Sequence, residues 1–507
     1  MSNHGVSEKQ ERTLLLDSEH REKLWETLVH TIEQYITHVR ELPASADPDP
    51  ETVRALVNRF DFSVPLEPDE AVRRVADSLS QTQVHTPHPR YFGLFNPTPT
   101  TVGIAAEALV AVFNPQLAVW KHNPFATEVE HRLMRDLAAR FGYAPGDVDG
   151  IMCSGGSEAN HTALLAALTH AFPALDRDGM RGLSLQPVFY VSAESHHSFH
   201  KAARLCGLGS NAVREVPVDD KLSMQSAALE AAIRDDRKNG YAPFLVVGTA
   251  GTTNAGAVDP LQRIAAVAAR ENLWFHADAA WGGAVALVPE MRPLLDGIER
   301  ADSITIDAHK WLCVPMGAGI FITRHPEILR RTFHISAAYV PPPGVGVEAA
   351  EAYESSMQWS RRFIGLKLFL SLATAGWDGY AATIRHMTEI GAQLRRRLDS
   401  AGWEVLNPTP LPICCFRDAE FPEGSADYLE GIVREVIASG EAWISTTRLR
   451  NRIPVLRACI TSYRTNTDDL DILISALNEA RKKLAADRDD ASRQNAEKIA
   501  GSATPGL

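Results

Sequence analysis

The chain has 507 residues, more than one hydrophobic core usually supports, so we expect two or three structural units. Hydrophobic residues make up 45% and charged residues 22%, as in ordinary globular proteins, and a net charge of −12 argues against a general nucleic-acid binder. Residues 1–12 are polar and no stretch has the roughly 18 apolar residues of a membrane span, so neither a secretory signal nor a membrane contact is expected. Six cysteines without disulfide or zinc spacing favour a reduced, cytoplasmic setting.

Residues 1–85 predict a helical segment. Apolar side chains recur at helical spacing over 19–39 and, more weakly, over 51–60, and a proline-rich connector lies between them at 42–50. This segment has little apolar content of its own, so we expect it to pack on something else, such as another subunit.

Residues 86–385 alternate short apolar runs with helical stretches, which predicts a large α/β domain. Near-continuous apolar runs at 188–191, 244–247, 273–276 and 303–306, with one more at 318–323, predict strands. Strands that alternate with helices predict a mostly parallel central sheet with helices on both faces.

The remainder predicts a smaller domain and a tail. Helical patterns at 387–401, 428–439 and 470–484, with strands between them, indicate a small C-terminal α+β domain over 386–485. Residues 486–507 are polar and charged, which predicts a disordered tail.

Two dense polar strings each follow an apolar run. Asp278 lies in His-Ala-Asp-Ala-Ala at 276–280, and Lys310 lies in Asp-Ala-His-Lys at 307–310. Because open α/β sheets bind ligands at the carboxyl ends of parallel strands, these side chains can converge on one ligand. A single lysine is usually a surface residue, but this pair suits pyridoxal 5'-phosphate. The lysine amine forms a Schiff base with the aldehyde, and the carboxylate keeps the pyridine nitrogen protonated.

A glycine pair followed by a helix predicts a phosphate site. Cys-Ser-Gly-Gly-Ser-Glu-Ala-Asn at 153–160 precedes an Ala/Leu-rich helix, where the glycines allow close approach and the helix N-terminus attracts an anion. Taken alone, the string also fits a simple capped helix start. It matches neither nucleotide-binding glycine motif, which weakens a nucleotide interpretation.

Two further strings lie after predicted strands. His196, in Ser-His-His-Ser-Phe-His at 195–200, could lie flat over a planar cofactor ring. A metal site is a weak alternative there, because the string has no carboxylate partner, and no metal is expected. Thr253, in Gly-Thr-Ala-Gly-Thr-Thr-Asn at 248–254, suits the edge of a ring, although a plain Gly/Thr turn also fits.

Together, these strings resemble the pyridoxal-phosphate decarboxylases of L-amino acids, the family of aromatic amino-acid, glutamate and diaminobutyrate decarboxylases, over roughly residues 85–480. The resemblance implies the aspartate-aminotransferase-like fold (fold type I) and an obligate homodimer with active sites at the interface. It also implies that the N-terminal helices wrap the partner subunit.

The resemblance also implies individual roles. Lys310 would carry the Schiff base, Asp278 would pair with the pyridine nitrogen, and Ala280 would pack against the ring. His196 would stack on the ring face and help place the substrate carboxylate. The matches to phosphate-contacting positions are Gly156, Ser157 and His309, and Thr253 matches a position beside the ring.

A mobile catalytic loop is implied as well. Tyr339, in Ala-Ala-Tyr-Val-Pro-Pro-Pro-Gly at 337–344, matches a tyrosine implicated in protonating the α-carbon after carbon dioxide leaves. Relatives with phenylalanine at this position make aldehydes by an oxygen-dependent path. Tyrosine therefore favours decarboxylation.

The side-chain pocket of the family maps to residues 88–97 and 116–124 and to Ser360. The candidate pocket residues are Phe92, Leu94, Phe95, Trp120, Lys121, His122 and Ser360. The aromatic members predict an apolar box, whereas Lys121 and His122, if they face the pocket rather than solvent, would bind an acidic or hydroxylated side chain.

We therefore expect pyridoxal-phosphate-dependent decarboxylation of an L-amino acid, with an aromatic or related bulky side chain, to the amine and carbon dioxide. One alternative is a decarboxylase of a small acidic or basic amino acid such as aspartate, glutamate or diaminobutyrate. Others are an oxygen-using aldehyde synthase on the same fold, and a non-catalytic homologue that serves as a binding or dimerisation module.

Overall fold

A computed structural model describes residues 14–144, 146, 148–335, 351–421 and 424–502, with side chains described up to residue 487. The chain divides into two compact units, one ending at His88 and the other beginning at Pro89. The helices are α1 (Ser18–His38), α2 (Pro50–Val57), α3 (Pro68–Thr82), α4 (Thr101–Phe113), α5 (Pro124–Phe141), α6 (Gly156–Ala171), α7 (Leu175–Asp178), α8 (Ser198–Leu205), α9 (Ser226–Lys238), α10 (Leu261–Glu271), α11 (Ile328–Phe333), α12 (Leu366–Ser400), α13 (Ala426–Ala438) and α14 (Thr467–Ser502). The strands are β1 (Asp149–Cys153), β2 (Gln186–Ser192), β3 (Val213–Val216), β4 (Tyr241–Thr249), β5 (Trp274–Asp278), β6 (Ser303–Asp307), β7 (Gly319–Thr323), β8 (Trp403–Val405), β9 (Ile413–Asp418), β10 (Ser445–Leu449) and β11 (Ile453–Cys459).

The first unit is helical, as the sequence predicts. Asp17 caps α1 by accepting from the backbone N–H of His20, and α1 packs on α3, which the sequence pattern did not reveal. Every residue of α1 is at least partly exposed, and Trp25 and Val29 are among its exposed apolar side chains. The unit therefore leaves apolar surface uncovered by its own residues.

The central sheet of the second unit has seven strands in the order β1-β7-β6-β5-β4-β2-β3. Strands β2 to β6 pair in parallel, and β7 runs antiparallel to both β1 and β6. Along β4, Leu245 and Val247 pack into one buried cluster and Val246 into another, so both faces of the sheet are covered. The mostly parallel α/β fold is confirmed.

Five strands of this sheet lie where apolar runs predict them, and two do not. The sequence analysis missed β1, which begins with Asp149-Gly150, a pair typical of turns, and β3, whose middle residues Arg214 and Glu215 are charged. The omission of β1 matters, because this strand leads directly into the glycine pair.

A second sheet, antiparallel in the order β10-β11-β9-β8, packs with α12, α13 and α14 near the C-terminus. Helix α12 runs through the predicted domain boundary at residue 385, with a kink at Gly376, where φ is 65°. The α14 backbone is helical to Ser502, where the polar composition predicts a disordered tail from 486. The reason for the difference is that residues 486–502 include four alanines, two arginines and one each of glutamine, glutamate and lysine, which are strong helix formers.

Within the described residues, helices are either too short or too polar to cross a lipid bilayer.

Candidate active site

A cavity of about 300 Å³ opens where β5 and β6 end side by side. Eight residues predicted from the sequence line this cavity: Gly156, Ser157, His196, Thr253, Asp278, Ala280, His309 and Lys310. Further lining residues are Ser154, Gly155, Asn160, Thr249, Gly251, Trp281, Asp307 and Met316. The fold thus brings the separate strings of the sequence together at one edge of the sheet.

Lys310 lies in the turn that follows β6. Its Nζ is 2.9 Å from Oδ2 of Asp307, the last residue of that strand, and 5.7 Å from the centre of the Phe95 ring. Oδ1 of Asp307 is buried and has no hydrogen-bond partner among the described residues. Phe95 packs on Trp281 at 4.4 Å between ring centres, so an aromatic wall stands beside the lysine.

Asp278 is the last residue of β5, and a buried network holds its carboxylate. Oδ2 accepts from the side-chain amide of Asn160 at 3.0 Å, and Oδ1 accepts from the backbone N–H of Ala280 at 3.2 Å. Nε2 of His276 lies 3.3 Å from Oδ1 of Asn160, and Nδ1 of His276 lies 2.8 Å from the Ser303 hydroxyl. Two hydrogen-bond donors thus hold the carboxylate of Asp278 in one orientation, facing the cavity.

His196 borders the cavity just before α8. Its Nδ1 accepts from the backbone N–H of Ser198 at 3.2 Å, so the proton of a neutral ring is on Nε2. Burial lowers the pKa of His196 below its ordinary value, and the negative charge of Asp278 only partly opposes this. The side chain is therefore a neutral donor near pH 7.

The glycine pair begins α6 at the other side of the cavity. Gly155 is the N-cap and has no side chain to occupy the helix end. A Cβ atom at Gly156 would lie 2.6 Å from Oδ2 of Asp307, so only glycine fits there. His309 accepts from the backbone N–H of Ala318 through Nδ1 at 3.1 Å, which leaves Nε2–H as its donor. The helix end and His309 together form a site suited to an anion.

The predicted pocket residues are not among those that line the cavity of one chain. Among the described residues, the cavity lining does not include Phe92, Leu94, Phe95, Trp120, Lys121, His122 or Ser360. Phe92 is buried in the core, Leu94 is exposed, and only Phe95 lies near Lys310. The indole N–H of Trp120 donates to Glu128 at 3.0 Å. The apolar box therefore stays a prediction.

The second predicted pocket segment, residues 116–124, forms a polar cluster with Ser360. Gln116 donates to the Ser360 hydroxyl at 3.1 Å, and its side-chain oxygen lies 2.9 Å from Nδ1 of His122. Lys121 is exposed beside them. These side chains form a polar surface rather than an aromatic one.

Tyr339 and the histidine string at 195–200 differ in whether the structure describes them. Tyr339 lies outside the described residues, so its position relative to the cavity stays a prediction. In the histidine string, Nε2 of His200 faces Glu215 at 3.0 Å, away from His196. Among the residues that the structure describes, His, Cys, Asp and Glu side chains form no group of three or more that could hold a metal ion.

Three of the residues that sequence reasoning did not assign to this site have contacts that shape it. Asn160 is four positions after Gly156, which places it one helical turn further along the same face of α6, and this spacing was a usable signal. Asp307 lies in the same sequence string as Lys310, but the sequence analysis gave it no role. Arg457 is buried and donates to the backbone oxygens of Gly93 at 2.8 Å and Thr253 at 3.0 Å, a long-range contact that no local pattern indicates.

Comparisons with known proteins show the family of this chain. A model of the pyridoxal-dependent decarboxylase conserved domain matches residues 50–418. The aromatic-L-amino-acid decarboxylase of Bacillus atrophaeus is 31% identical over 467 residues, which cover 90% of this chain and 94% of that protein. An L-aspartate decarboxylase of Metarhizium robertsii is 31% identical over 369 residues, or 72% of this chain and 73% of that protein. The crystal structure of mouse CSAD matches with a TM-score of 0.86 and 26% identity over 92% of this chain and 99% of that chain.

Proposed function

This chain belongs to the pyridoxal-dependent decarboxylase family, and on that premise we propose that it decarboxylates an L-amino acid with an aromatic or related bulky side chain. The products are the amine and carbon dioxide. The observation that carries the proposal is the convergence of Lys310 and Asp278 on one cavity, with the Phe95–Trp281 wall beside the lysine.

The cavity fits pyridoxal phosphate. Its volume of about 300 Å³ is at the lower end of the usual range for ligand sites, as expected for a small cofactor. Oδ1 of Asp307 and Oγ1 of Thr249 are buried without hydrogen-bond partners among the described residues. The carboxylate oxygen can accept from a bound molecule, and the hydroxyl can accept or donate. Gly155 and Gly156 have no side chains, so the start of α6 leaves room for a phosphate group.

Eight of the lining residues have a proposed part in holding the cofactor. Lys310 would hold the aldehyde carbon through its amine, Asp278 would pair with the pyridine nitrogen, and Ala280 and His196 would pack against the ring. The proposed phosphate contacts are Gly156, Ser157 and His309, with Thr253 beside the ring. When bound, pyridoxal phosphate supplies an electron-accepting ring that stabilises the charge left on the α-carbon when carbon dioxide departs.

The chain's own groups prepare this chemistry. Asn160 and the backbone N–H of Ala280 donate to the Asp278 carboxylate and orient it, so that it would pair with the protonated ring nitrogen of the cofactor. Neutral His196 can donate from Nε2 to the substrate carboxylate and fix its orientation. Tyr339 then supplies the proton to the α-carbon, a role that rests on the sequence match alone.

A second candidate substrate is a small acidic amino acid, and one observation favours it. The linked side chains of Gln116, His122 and Ser360, with Lys121 beside them, offer donors and positive charge in the second predicted pocket segment. A carboxylate side chain would be bound by such a surface. If the product shows aldehyde and peroxide rather than amine, the oxygen-using alternative applies.

We also propose a homodimer whose sites are completed by the partner subunit. Helix α4 is apolar nearly all round, and Leu109, Val112 and Phe113 are 45%, 68% and 78% exposed. A helix of this kind is normally buried on every face, which supports coverage by a second copy. The exposed apolar side chains of α1 support the same conclusion for the N-terminal unit.

A cytoplasmic setting is part of the proposal. All six cysteines are free thiols, and five of them are buried, as is usual for proteins of reducing compartments.

Product analysis by mass spectrometry tests the proposed function. The purified protein with pyridoxal phosphate is incubated separately with each common L-amino acid, with dihydroxyphenylalanine and with diaminobutyrate. We expect amine from one or a few aromatic substrates. Amine from aspartate or glutamate alone would overturn the aromatic preference in favour of the second candidate, and aldehyde in place of amine would overturn decarboxylation to the amine.

A further inference from the structure

Glu158 joins two parts of the chain that are 200 positions apart. It is the third residue of α6, and its Oε2 accepts from both the backbone N–H and the hydroxyl of Ser154, at 2.7 Å and 2.6 Å. Its Oε1 accepts from the side-chain amide of Gln358 at 2.6 Å. Both oxygens of the carboxylate are therefore engaged, each by a different part of the chain.

A helix cap explains only one half of this arrangement. A glutamate at the third position of a helix commonly accepts from a backbone N–H just before the helix, which stabilises the helix start. The contact with Ser154 is of this kind. The contact with Gln358 is not, because that residue belongs to a distant segment of the sequence. Glu158 is thus a link between α6 and that segment as well as a cap.

The segment that carries Gln358 is held at both ends. On one side, the backbone N–H of Gln358 donates to the Ser356 hydroxyl at 3.2 Å. On the other side, the buried guanidinium of Arg361 pairs with Glu130 at 2.6 Å, and the backbone oxygen of Arg361 accepts from the N–H of Leu117 at 2.9 Å. Gln358 therefore extends toward Glu158 from a fixed anchor.

The other end of the link is the phosphate loop, residues 154–156, which connects β1 to α6. The central sheet supports its two glycines. A Cβ atom on Gly319, the first residue of β7, would lie 2.4 Å from the backbone carbon of Gly155, and one on Gly156 would lie 2.6 Å from Oδ2 of Asp307. Ser154 is exposed, and Glu158 binds both its N–H and its hydroxyl. The sheet and Glu158 together hold the loop along its whole length.

We propose that Glu158 is a positioning residue for the cofactor phosphate, which holds the phosphate loop in its binding conformation through the link to Gln358. The inference rests on the proposed contacts between the start of α6 and the phosphate. Glu158 does not itself bind the phosphate, since its negative charge would repel that group and both of its oxygens are engaged. A loop that is ordered before the phosphate arrives loses less conformational freedom on binding, which raises the affinity.

Titrations of the full-length protein, freed of cofactor, with pyridoxal 5'-phosphate and with pyridoxal test this role, and neither requires turnover. Glu158→Gln keeps an acceptor for Ser154, as glutamine does in a helix cap, but its single side-chain oxygen cannot serve both partners. Glu158→Gln combined with Gln358→Glu restores an amide facing a carboxylate, in the reverse sense. Glu404→Gln is the matched control, since it removes a carboxylate of β8 that accepts from Arg417 at 2.7 Å.

We expect Glu158→Gln to raise the dissociation constant of pyridoxal 5'-phosphate by about tenfold, the size expected for one hydrogen bond to a charged group, and to leave that of pyridoxal unchanged. The double variant should recover most of the loss, and Glu404→Gln should match the wild type.

Equal weakening of the two ligands by Glu158→Gln, or no weakening of either, would overturn the positioning role. A double variant that binds no better than Glu158→Gln would overturn the link to Gln358. A wild type that binds the two ligands equally would overturn the proposed phosphate contacts themselves, so the two failures are distinguishable.

Discussion

The side-chain amide of Asn160 donates to Oδ2 of Asp278 at 3.0 Å, and so it joins the helix that begins at the glycine pair to the strand that carries the aspartate. The same amide also donates to the Ser198 hydroxyl at 3.0 Å, next to the histidine of the site. One buried asparagine thus connects the elements that would hold the phosphate, the ring nitrogen and the ring face. We infer that Asn160 positions Asp278 rather than acting on the substrate.

Asn160→Ala should weaken cofactor binding and slow turnover. A hydrogen bond to a charged group contributes about 1.5–3 kcal/mol, so the cofactor dissociation constant should rise by about tenfold or more, with a comparable fall in kcat/KM. Cofactor titration and steady-state kinetics measure both. Ser198→Ala is the matched control, since it removes the other partner of the amide and leaves the contact with Asp278. Equal losses in the two variants would contradict the positioning role.

Tyr339→Phe should shift the products from amine toward aldehyde. Removal of the phenol removes the proposed proton donor to the α-carbon, so the charged carbon persists and can react with oxygen. The ratio of amine to aldehyde and peroxide, measured by mass spectrometry and a peroxide assay, reports the change. Tyr353→Phe is the control, because it removes the hydroxyl of another tyrosine, one that contacts Glu354 at 3.1 Å. An unaltered product ratio in Tyr339→Phe would remove this tyrosine from its proposed role.

His276 should make the fold less stable in acid. Burial lowers the pKa of His276 to about 4, from an ordinary value of 6.5. As the pH falls from 6.5 toward 4, the unfolded chain takes up a proton that the folded chain excludes, so the free energy of unfolding falls by about 1.4 kcal/mol per pH unit from this residue.

His276→Gln keeps a donor and an acceptor but cannot titrate, which isolates the effect. Its melting temperature should fall less steeply than that of the wild type between pH 6.5 and 4, whereas His30→Gln, at an exposed position, should follow the wild type. Asp259 acts in the opposite direction, because burial raises its pKa to about 7, but it is present in both proteins and cancels. Parallel profiles for the wild type and His276→Gln would refute the assignment.

Phe113→Asp should dissociate the proposed dimer. A charge on the exposed apolar face of α4 would be buried without a partner at an interface, at a cost of several kcal/mol. Analytical ultracentrifugation should give a dimer for the wild type and monomer for the variant, and activity should fall with the dimer. Leu205→Asp places the same charge at another exposed apolar residue and should leave the dimer intact. A wild type that sediments as a monomer would contradict the proposal directly.

The sequence predicted best the site residues that lie at the ends of strands. Asp278 and Lys310 each follow a β-rich apolar run, and parallel neighbouring strands bring such ends together without any further information. The glycine pair and His196 were found for the same reason, since each lies just after a strand or at a helix start.

Contacts that depend on the order of strands were not predictable from local patterns. The position of β7 between β1 and β6 follows from packing over the whole sheet, and the sequence says only that β7 is a strand. Phe92 and Leu94 were assigned to one pocket, but the backbone bends at residues 93–95, and Phe92 is buried while Leu94 is exposed. Arg457 reaches Thr253 across some 200 residues, which no periodicity could indicate.

The central claim is that Lys310 is the lysine that holds the cofactor, and reduction of the holoenzyme with borohydride tests it most directly. Reduction makes the bond between lysine and cofactor permanent, and peptide mass spectrometry then locates the modified residue. We expect the label on Lys310 in the wild type, with no label on that peptide in Lys310→Ala and no turnover by that variant, although cofactor still binds through the phosphate site. A label on a different lysine, or full activity of Lys310→Ala, would contradict the account.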